Sequence, residues 1–403
     1  MKYPGFTWLI SQFDPKEVNP VKWKSLLLLG IVIFSFSEVN AEPFEPFSFP
    51  SMMSALSITT PLEFCGEPVP LEVQEVRERI EKELLLSLWH RPQVILWLKR
   101  SRRYMPYIEE VLRSEGMPDD LKYVAIAESA LRPHARSRKG AVGFWQFMNY
   151  TGQQYGLVIN RRIDERRNIF ASTEAAIRYL SDLYDTFGSW ALAAAAYNMG
   201  EVGLNAEIVE QGVNNYYQLY LHLETQRYVF RIIAIKLILE DPAKYGFYLA
   251  EEDYYPALSF DRVRVQCFKE TPIRIIAQAA QTHFKVIKDL NPEILGHYLT
   301  EGNHAILIPK EGSENFQARY RDLLKHWSSN QKEQTYLVKE GDHLTAIAER
   351  LGVSLASLII WNRLNPKAPI HPGDRLIIYP KEPVPITIDE EENGNNNTSV
   401  KNN

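Results

Sequence analysis

From Leu71 to about Leu249 apolar residues recur at helical spacing almost without a break, which confines this part of the chain to a packing of helices. Val73, Val76, Ile80 and Leu84 mark one stripe. Pro106 is expected to open a helix that Gly116 closes. Ser172 is expected to cap a helix whose inner face is Ala176, Leu180, Leu183 and Phe187. Ser189 is expected to cap the next, WALAAAAYNMG, which ends at Gly200. Its alanines allow close packing, so this helix should be central. A further helix, around Leu223 to Leu239, is apolar on most sides.

One stripe carries an acid. Leu121, Val124, Ala125 and Glu128 share a helix face at i, i+3, i+4 and i+7. Such a face is normally core. Burial there disfavours the charged carboxylate and raises its pKa. An acid that keeps its proton near neutral pH can donate it to a leaving oxygen. The alternative is a structural acid paired with Arg132 or Lys122. Asp119 or Asp120, after Pro118, is expected to cap this helix, and Pro133 to end it just past Arg132. Downstream, Gly140 and Gly143 bracket a turn before Trp145, Gln146, Phe147 and Met148, where glycine would let backbone approach a ligand.

A net charge of -5 is small for 403 residues, and no basic stripe with interleaved aromatics suits nucleic acid. Lys99, Arg100, Arg102 and Arg103 read as the solvated end of a helix. The nine histidines are scattered without metal-ligand spacing, so neither a metal site nor a cofactor is expected. With only Cys65 and Cys267, at most one disulfide is available. Residues 1–41 read as an export signal: Lys16, Lys22 and Lys24 precede the apolar run Leu26 to Phe36, and Val39 and Ala41 provide a cleavage pattern. The run is short for a membrane span, so none is expected after cleavage, an uncleaved anchor being the alternative. A lipid-attachment cysteine would follow the run directly, and Cys65 lies far beyond it. Residues 42–70, rich in Pro, Phe and Ser, read as a tether.

Beyond Pro256 short strands and helices take over. Residues 335–380 form a strand–helix–helix–strand unit. Tyr336 and Val338 alternate, Gly341-Asp342 turns, and Ile347 and Leu351 face inward. Ser354 caps a second helix with Leu358 and Trp361 inside, and Pro372-Gly373 leads to a last strand, Leu376 to Tyr379. The same unit appears earlier, over residues 257–311, at an offset of 71 that superposes Asn291 on Asn362. Ile276-Ala277, Gly302 and Pro309 match Ile347-Ala348, Gly373 and Pro380. Glu270 and Thr271 replace the Gly-Asp turn, so this copy is degenerate, expected to keep the fold and lose the ligand. Cys267 stands where Val338 does and reads as a buried small hydrophobe. Residues 381–403 read as a disordered tail.

Four ordered blocks resemble a known family: Glu128-Ser129, GAVGFWQFM (Gly140 to Met148), AYN (Ala196 to Asn198) and ETQRYV (Glu224 to Val229). The helical region, 71–250, resembles the soluble-lytic-transglycosylase domain of bacterial cell-wall enzymes, and the chain as a whole the membrane-bound lytic murein transglycosylase D group. The resemblance implies a mainly α, lysozyme-like catalytic domain followed by two small α+β LysM-type modules, acting on peptidoglycan glycan strands in the periplasm. Glu128 would protonate the glycosidic oxygen between N-acetylmuramic acid and N-acetylglucosamine. It would then take the proton from the muramyl C6 hydroxyl, leaving a 1,6-anhydro ring. No partner carboxylate accompanies Glu128 in its motif, whereas ordinary glycosidases use two.

By analogy Ser129, Gln146, Met148, Tyr197, Asn198, Glu224 and Tyr228 would line the sugar groove. Tyr197 and Asn198 could instead be a helix end with Gly200, Glu224 could pair with Arg227 or Arg231, and Trp145 could be core or a sugar platform. In the last module Gly341, Asp342 and Leu344 would form one wall of a shallow groove, with Asn362 and Ile370 near the other. Departures from the family are Asn149, Met199 and Phe230, and none removes a proton donor. Two rivals stand beside the transglycosylase: a goose-lysozyme-type hydrolase using Asp164 or Glu224, and a non-catalytic wall-binding scaffold.

Overall fold

A computed structural model describes residues 51–58, 61–330, 334–365 and 369–378. The expected leader, the first part of the expected tether, the tail and the last two residues of the 335–380 module lie outside the described residues.

Apolar side chains gather into three clusters along the chain. The first belongs to a helical body of α1 (Gln74–Trp89), α2 (Arg91–Ser114), α3 (Lys122–Ser129), α4 (Asn149–Gln154), α5 (Ile169–Phe187), α6 (Trp190–Met199), α7 (Glu201–Gln211) and α8 (Leu223–Glu240). Helix α8, buried along most of its length, lies against α1, α3 and α6. Every residue of α6 from Trp190 to Ala196 is buried, because alanine lets helix axes approach.

Several local expectations are corrected. Pro106 opens nothing; it sits inside α2, which runs on to Ser114 before Glu115 and Gly116 end it. The N-cap of α5 is Asn168, whose side chain accepts from the Phe170 and Ala171 N–H groups, while Ser172 is internal and donates to the Asn168 carbonyl. The cap of α6 comes from far away in sequence. The Glu67 carboxylate accepts from Trp190 N at 2.6 Å, and Ser189 donates its hydroxyl to the same group. Glu67 sits on a hairpin, β1 (Glu63–Phe64) and β2 (Glu67–Pro68), whose Phe64 fills the main core. Residues 61–70 are therefore part of the helical body and not a tether. The basic run on α2 is not a solvated helix end either. Arg102 pairs with Glu251, Arg103 donates to the Pro256 carbonyl and Arg100 to the Ala130 carbonyl.

The second cluster closes a unit of β3 (Asp261–Cys267), β4 (Thr271–Pro272), α9 (Ile273–Ala279), α10 (Phe284–Leu290), β5 (Tyr298–Leu299) and β6 (Gly302–Ile308), with β3 and β6 antiparallel. A helix outside the repeat, α11 (Phe316–Asn330), completes its core with Phe316 and Tyr320. The unit docks on the helical body by main-chain bonds, Asp164 N to Glu293 O and Leu295 N to Arg162 O.

The third cluster belongs to β7 (Gln334–Leu337), α12 (Leu344–Arg350), α13 (Leu355–Asn362) and β8 (Arg375–Ile378), with β7 and β8 antiparallel. Ser354 caps α13 by accepting from Ser357 N. The two units share more than a pattern. Asn291 bonds the Ile287 carbonyl and both main-chain groups of Leu307; Asn362 does the same with Leu358 and Ile377. The spacing to the strand is 16 residues in the first copy and 15 in the second, so Leu307 answers to Ile377 at an offset of 70, and the gap-free offset of 71 that paired Pro309 with Pro380 does not hold through the last strand. Cys267 and Val338 are both buried, and Cys65 and Cys267 are free thiols.

Candidate active site

The carboxyl of Glu128 is placed by α3 and held by α8. Leu121, Val124 and Ala125 are fully buried and leave Glu128 half-buried at the end of the same face. Tyr228, 1% exposed on α8, donates its hydroxyl to Glu128 Oε1 at 2.5 Å. Neither alternative cation engages the acid. Lys122 pairs with Glu109 and Asp119, and Arg132 donates Nε to the Ser129 carbonyl. Asp119 and Asp120 do not cap α3, since Asp120 takes Cys65 N and Lys236 instead.

Burial pushes the Glu128 carboxyl up to about 7. The Tyr228 hydrogen bond and the Arg231 charge pull it back, and Glu224 adds to the rise. The phenols of Tyr228 and Tyr197 are driven well above their usual range by burial and by the nearby Glu128 charge. Both therefore stay protonated and serve as donors.

The helix stops at Ser129, before Arg132, because Ala130 and Leu131 both turn left-handed with φ of 54° and 57°. Two such non-glycine residues in succession store backbone strain of about 1–2 kcal/mol each. Ser129 holds the turn. Its buried hydroxyl shares one proton between the Phe144 carbonyl at 2.7 Å and the Ala125 carbonyl at 3.1 Å and accepts from Arg132 N, so it fastens the glycine loop to α3.

Loop residues 140–148 are braced from several sides. Trp145, 0% exposed, donates Nε1 to Thr173 and is core, not a sugar platform. Tyr197 donates its hydroxyl to the Trp145 carbonyl, which places it under the loop. Gln146 has φ 50° and spends its amide N–H groups on the Ala135 and Gly143 carbonyls. Gly143 (φ 86°) allows a close approach to protein, not ligand: a Cβ there would stand 1.7 Å from the Arg166 carbonyl oxygen. Met148 is exposed. Asn198 accepts from the Thr225 hydroxyl, which joins the end of α6 to α8. Glu224 is 61% exposed and pairs with Arg231 at 3.0 Å.

The structure thus brings Glu128, Tyr228, Tyr197 and Arg231 together and leaves Met148 and the Glu224 carboxylate toward solvent. Asp164 is buried in an ion pair with Arg166, 2.7 and 2.9 Å, and with Arg167 at 3.5 Å. The sequence reading offered Arg231 as a partner for Glu224, which it is, but not as a charge beside Glu128, and it missed Thr225 and Glu83. Glu83 is a buried acid on α1 that takes Arg227 bidentately and lies 3.9 Å from Arg231. Its position three residues after Ile80 on an apolar stripe is the signal that singled out Glu128, and would have found it.

In the C-terminal unit the Asp342 carboxylate accepts from Lys339 N and the Tyr336 hydroxyl and pairs with Arg350. The Lys339 N–H, with Tyr336 and Arg350, holds that carboxyl below the usual range. Asp342 shapes the turn that Gly341, φ 81°, makes possible. Leu344 and Ile370 pack partly into the core. Asn362 spends its amide on the β8 backbone and so braces that strand.

Residues 105–219 match the family model of the transglycosylase SLT domain, and residues 336–378 that of the LysM domain. The chain is 30% identical over 329 residues to the membrane-bound lytic murein transglycosylase D of Escherichia coli (strain K12), covering 78% of this chain and 72% of that protein. It is 32% identical over 110 residues to a putative tributyltin chloride resistance protein of Alteromonas sp. (strain M-1), covering 27% of this chain and 53% of that one. The 70 kDa soluble lytic transglycosylase of Escherichia coli aligns in three dimensions with a TM-score of 0.32 and 16% identity, over 43% of this chain and 32% of that one.

Proposed function

We propose a mechanism on the premise that this chain belongs to the membrane-bound lytic murein transglycosylase D family: it is a peptidoglycan lytic transglycosylase, and Glu128 is its acid and base. The contact that carries this reading is Tyr228 on Glu128 Oε1. With that oxygen occupied by a donor, the proton of the neutral acid resides on the other oxygen. A pKa near 7 keeps it there at working pH and lets it leave for the glycosidic oxygen. Once it has left, Tyr228 and Arg231 stabilise the carboxylate, which accepts the proton of the muramyl C6 hydroxyl as that oxygen closes on the anomeric carbon. An internal nucleophile has a high effective concentration and needs no positioned water.

The hydrolase reading needs a second carboxylate free to activate water. The two candidates do not favour it, since Asp164 is locked by Arg166 and Glu224 faces solvent beside Arg231. The LysM match supports weak binding of the glycan by residues 336–378, which raises the effective concentration of the catalytic body at the wall. Residues 1–41 would serve as the export leader to the periplasm, and residues 257–311 as a module that docks rather than binds sugar.

Mass spectrometry of the products from purified sacculi tests the reading. Ends of 1,6-anhydromuramic acid are expected, and Glu128→Gln should lower their rate by about 10²–10⁴-fold. Reducing muramyl ends, or an unchanged rate in Glu128→Gln, would refute it.

A further inference from the structure

We propose that a cleft at the C-terminal end of the Glu128 helix binds a carboxylate of the peptide stems that the glycan strand carries; this rests on the peptidoglycan reading above. The cleft, about 330 Å³, is lined by Arg100, Arg103, Tyr104, Arg132, His134 and Tyr255 among others. Several basic side chains of the helical body are paired with acids: Arg166 with Asp164, Arg227 with Glu83, Arg231 with Glu224 and Arg102 with Glu251. Arg100, Arg103 and Arg132 differ. Each is tied to a main-chain carbonyl, of Ala130, Pro256 and Ser129 respectively, and none has an acid in ion-pair range among the described residues.

Those main-chain bonds hold three guanidinium groups around one concavity while each keeps further N–H groups for a ligand. The groups repel one another; burial and the Arg132 charge lower the affinity of Arg100 for its proton. Such an arrangement is relieved by an anion. A carboxylate suits it, because guanidinium and carboxylate match as planar bidentate partners. His134 accepts from Arg167 at Nδ1, and burial and Arg167 push its pKa down, so it enters as a neutral ring.

Position selects the source of the carboxylate. Arg132 is four residues past Glu128, so the two Cα atoms are separated by at most about 14 Å. The muramyl ring cleaved at Glu128 is the sugar that bears the peptide stem, and a stem of a few residues spans that distance.

The test uses the full chain with Arg103→Gln and Arg132→Gln combined. Turnover is measured on strands that keep their stems and on strands stripped by an amidase. Wild type should prefer stem-bearing strands, and the variant should bring the ratio of kcat/KM values down about tenfold, through KM. Calorimetry with the free stem peptide gives a second readout that needs no turnover, with binding expected to wild type and lost in the variant. The proposal is overturned if wild type shows no preference, or if both substrates slow equally in the variant. It is also overturned if inorganic phosphate displaces the peptide at lower concentration than the peptide itself acts. Absence of anhydro ends from either substrate, with stem peptide still bound, would instead refute the transglycosylase chemistry.

Discussion

At the scale of single residues the proposed chemistry depends on one proton on Glu128. Activity should fall as pH rises through about 7, where the acid loses that proton. Arg231 favours the charged form, so Arg231→Gln should move this basic limb to higher pH, which a kcat/KM profile would show. The same shift affects stability. The folded pKa lies above the usual 4.5, so the native state binds more protons than the unfolded chain between the two values. The stability that protonation contributes is complete below 4.5 and is lost as pH rises through about 7. Glu128→Gln has no such slope. Its melting temperature should therefore gain on wild type between about pH 5 and about pH 8, and a constant gap would contradict the raised pKa.

At the scale of elements, the acid is held in place by a turn and its braces. Gly143 lets the loop touch the Arg166 backbone, which cannot yield as a side-chain tip could. Gly143→Ala should cost at least about 2–3 kcal/mol in urea unfolding, from overpacking and a left-handed φ together. The cap of α5 offers a contrast between two polar residues four positions apart. Asn168→Ala should lose about 1 kcal/mol or more, because it leaves the Phe170 and Ala171 N–H groups without their acceptor. Periodicity located α5 and its inner face, but its start was misread at Ser172. A helix accommodates a serine that bonds the carbonyl four residues back, and spacing alone does not separate that from a cap.

At the scale of the whole molecule, the proposed function assigns different tasks to the helical body and the two βααβ units. Removing residues 334–378 should reduce retention on sacculi while soluble glycan is still cleaved, measured by co-sedimentation and by product release. The first unit is fastened to the body by Asp164 N to Glu293 O and Leu295 N to Arg162 O, so its loss would expose strand-like backbone that the second unit's loss would not. The repeat was legible from residues matched at one offset, Asn291 with Asn362 among them, and the structure gives both asparagines the same task of bracing a strand. Helix α11, which completes the first unit, has no counterpart in the repeat and was not foreseen.

The chain's own pattern determined the helical class, the acid on its apolar face and the two related C-terminal units, because apolar periodicity and motif order are local properties. Tertiary structure decided what faces that acid. Tyr228 lies 100 residues away on another helix, Glu67 reaches 123 residues to cap α6, and Asp164, a candidate base by position, is removed by its own neighbour Arg166. The physical reason is that a pKa, a cap or a groove wall is set by whichever groups packing brings within a few ångströms, and periodicity says which face is buried but not against what.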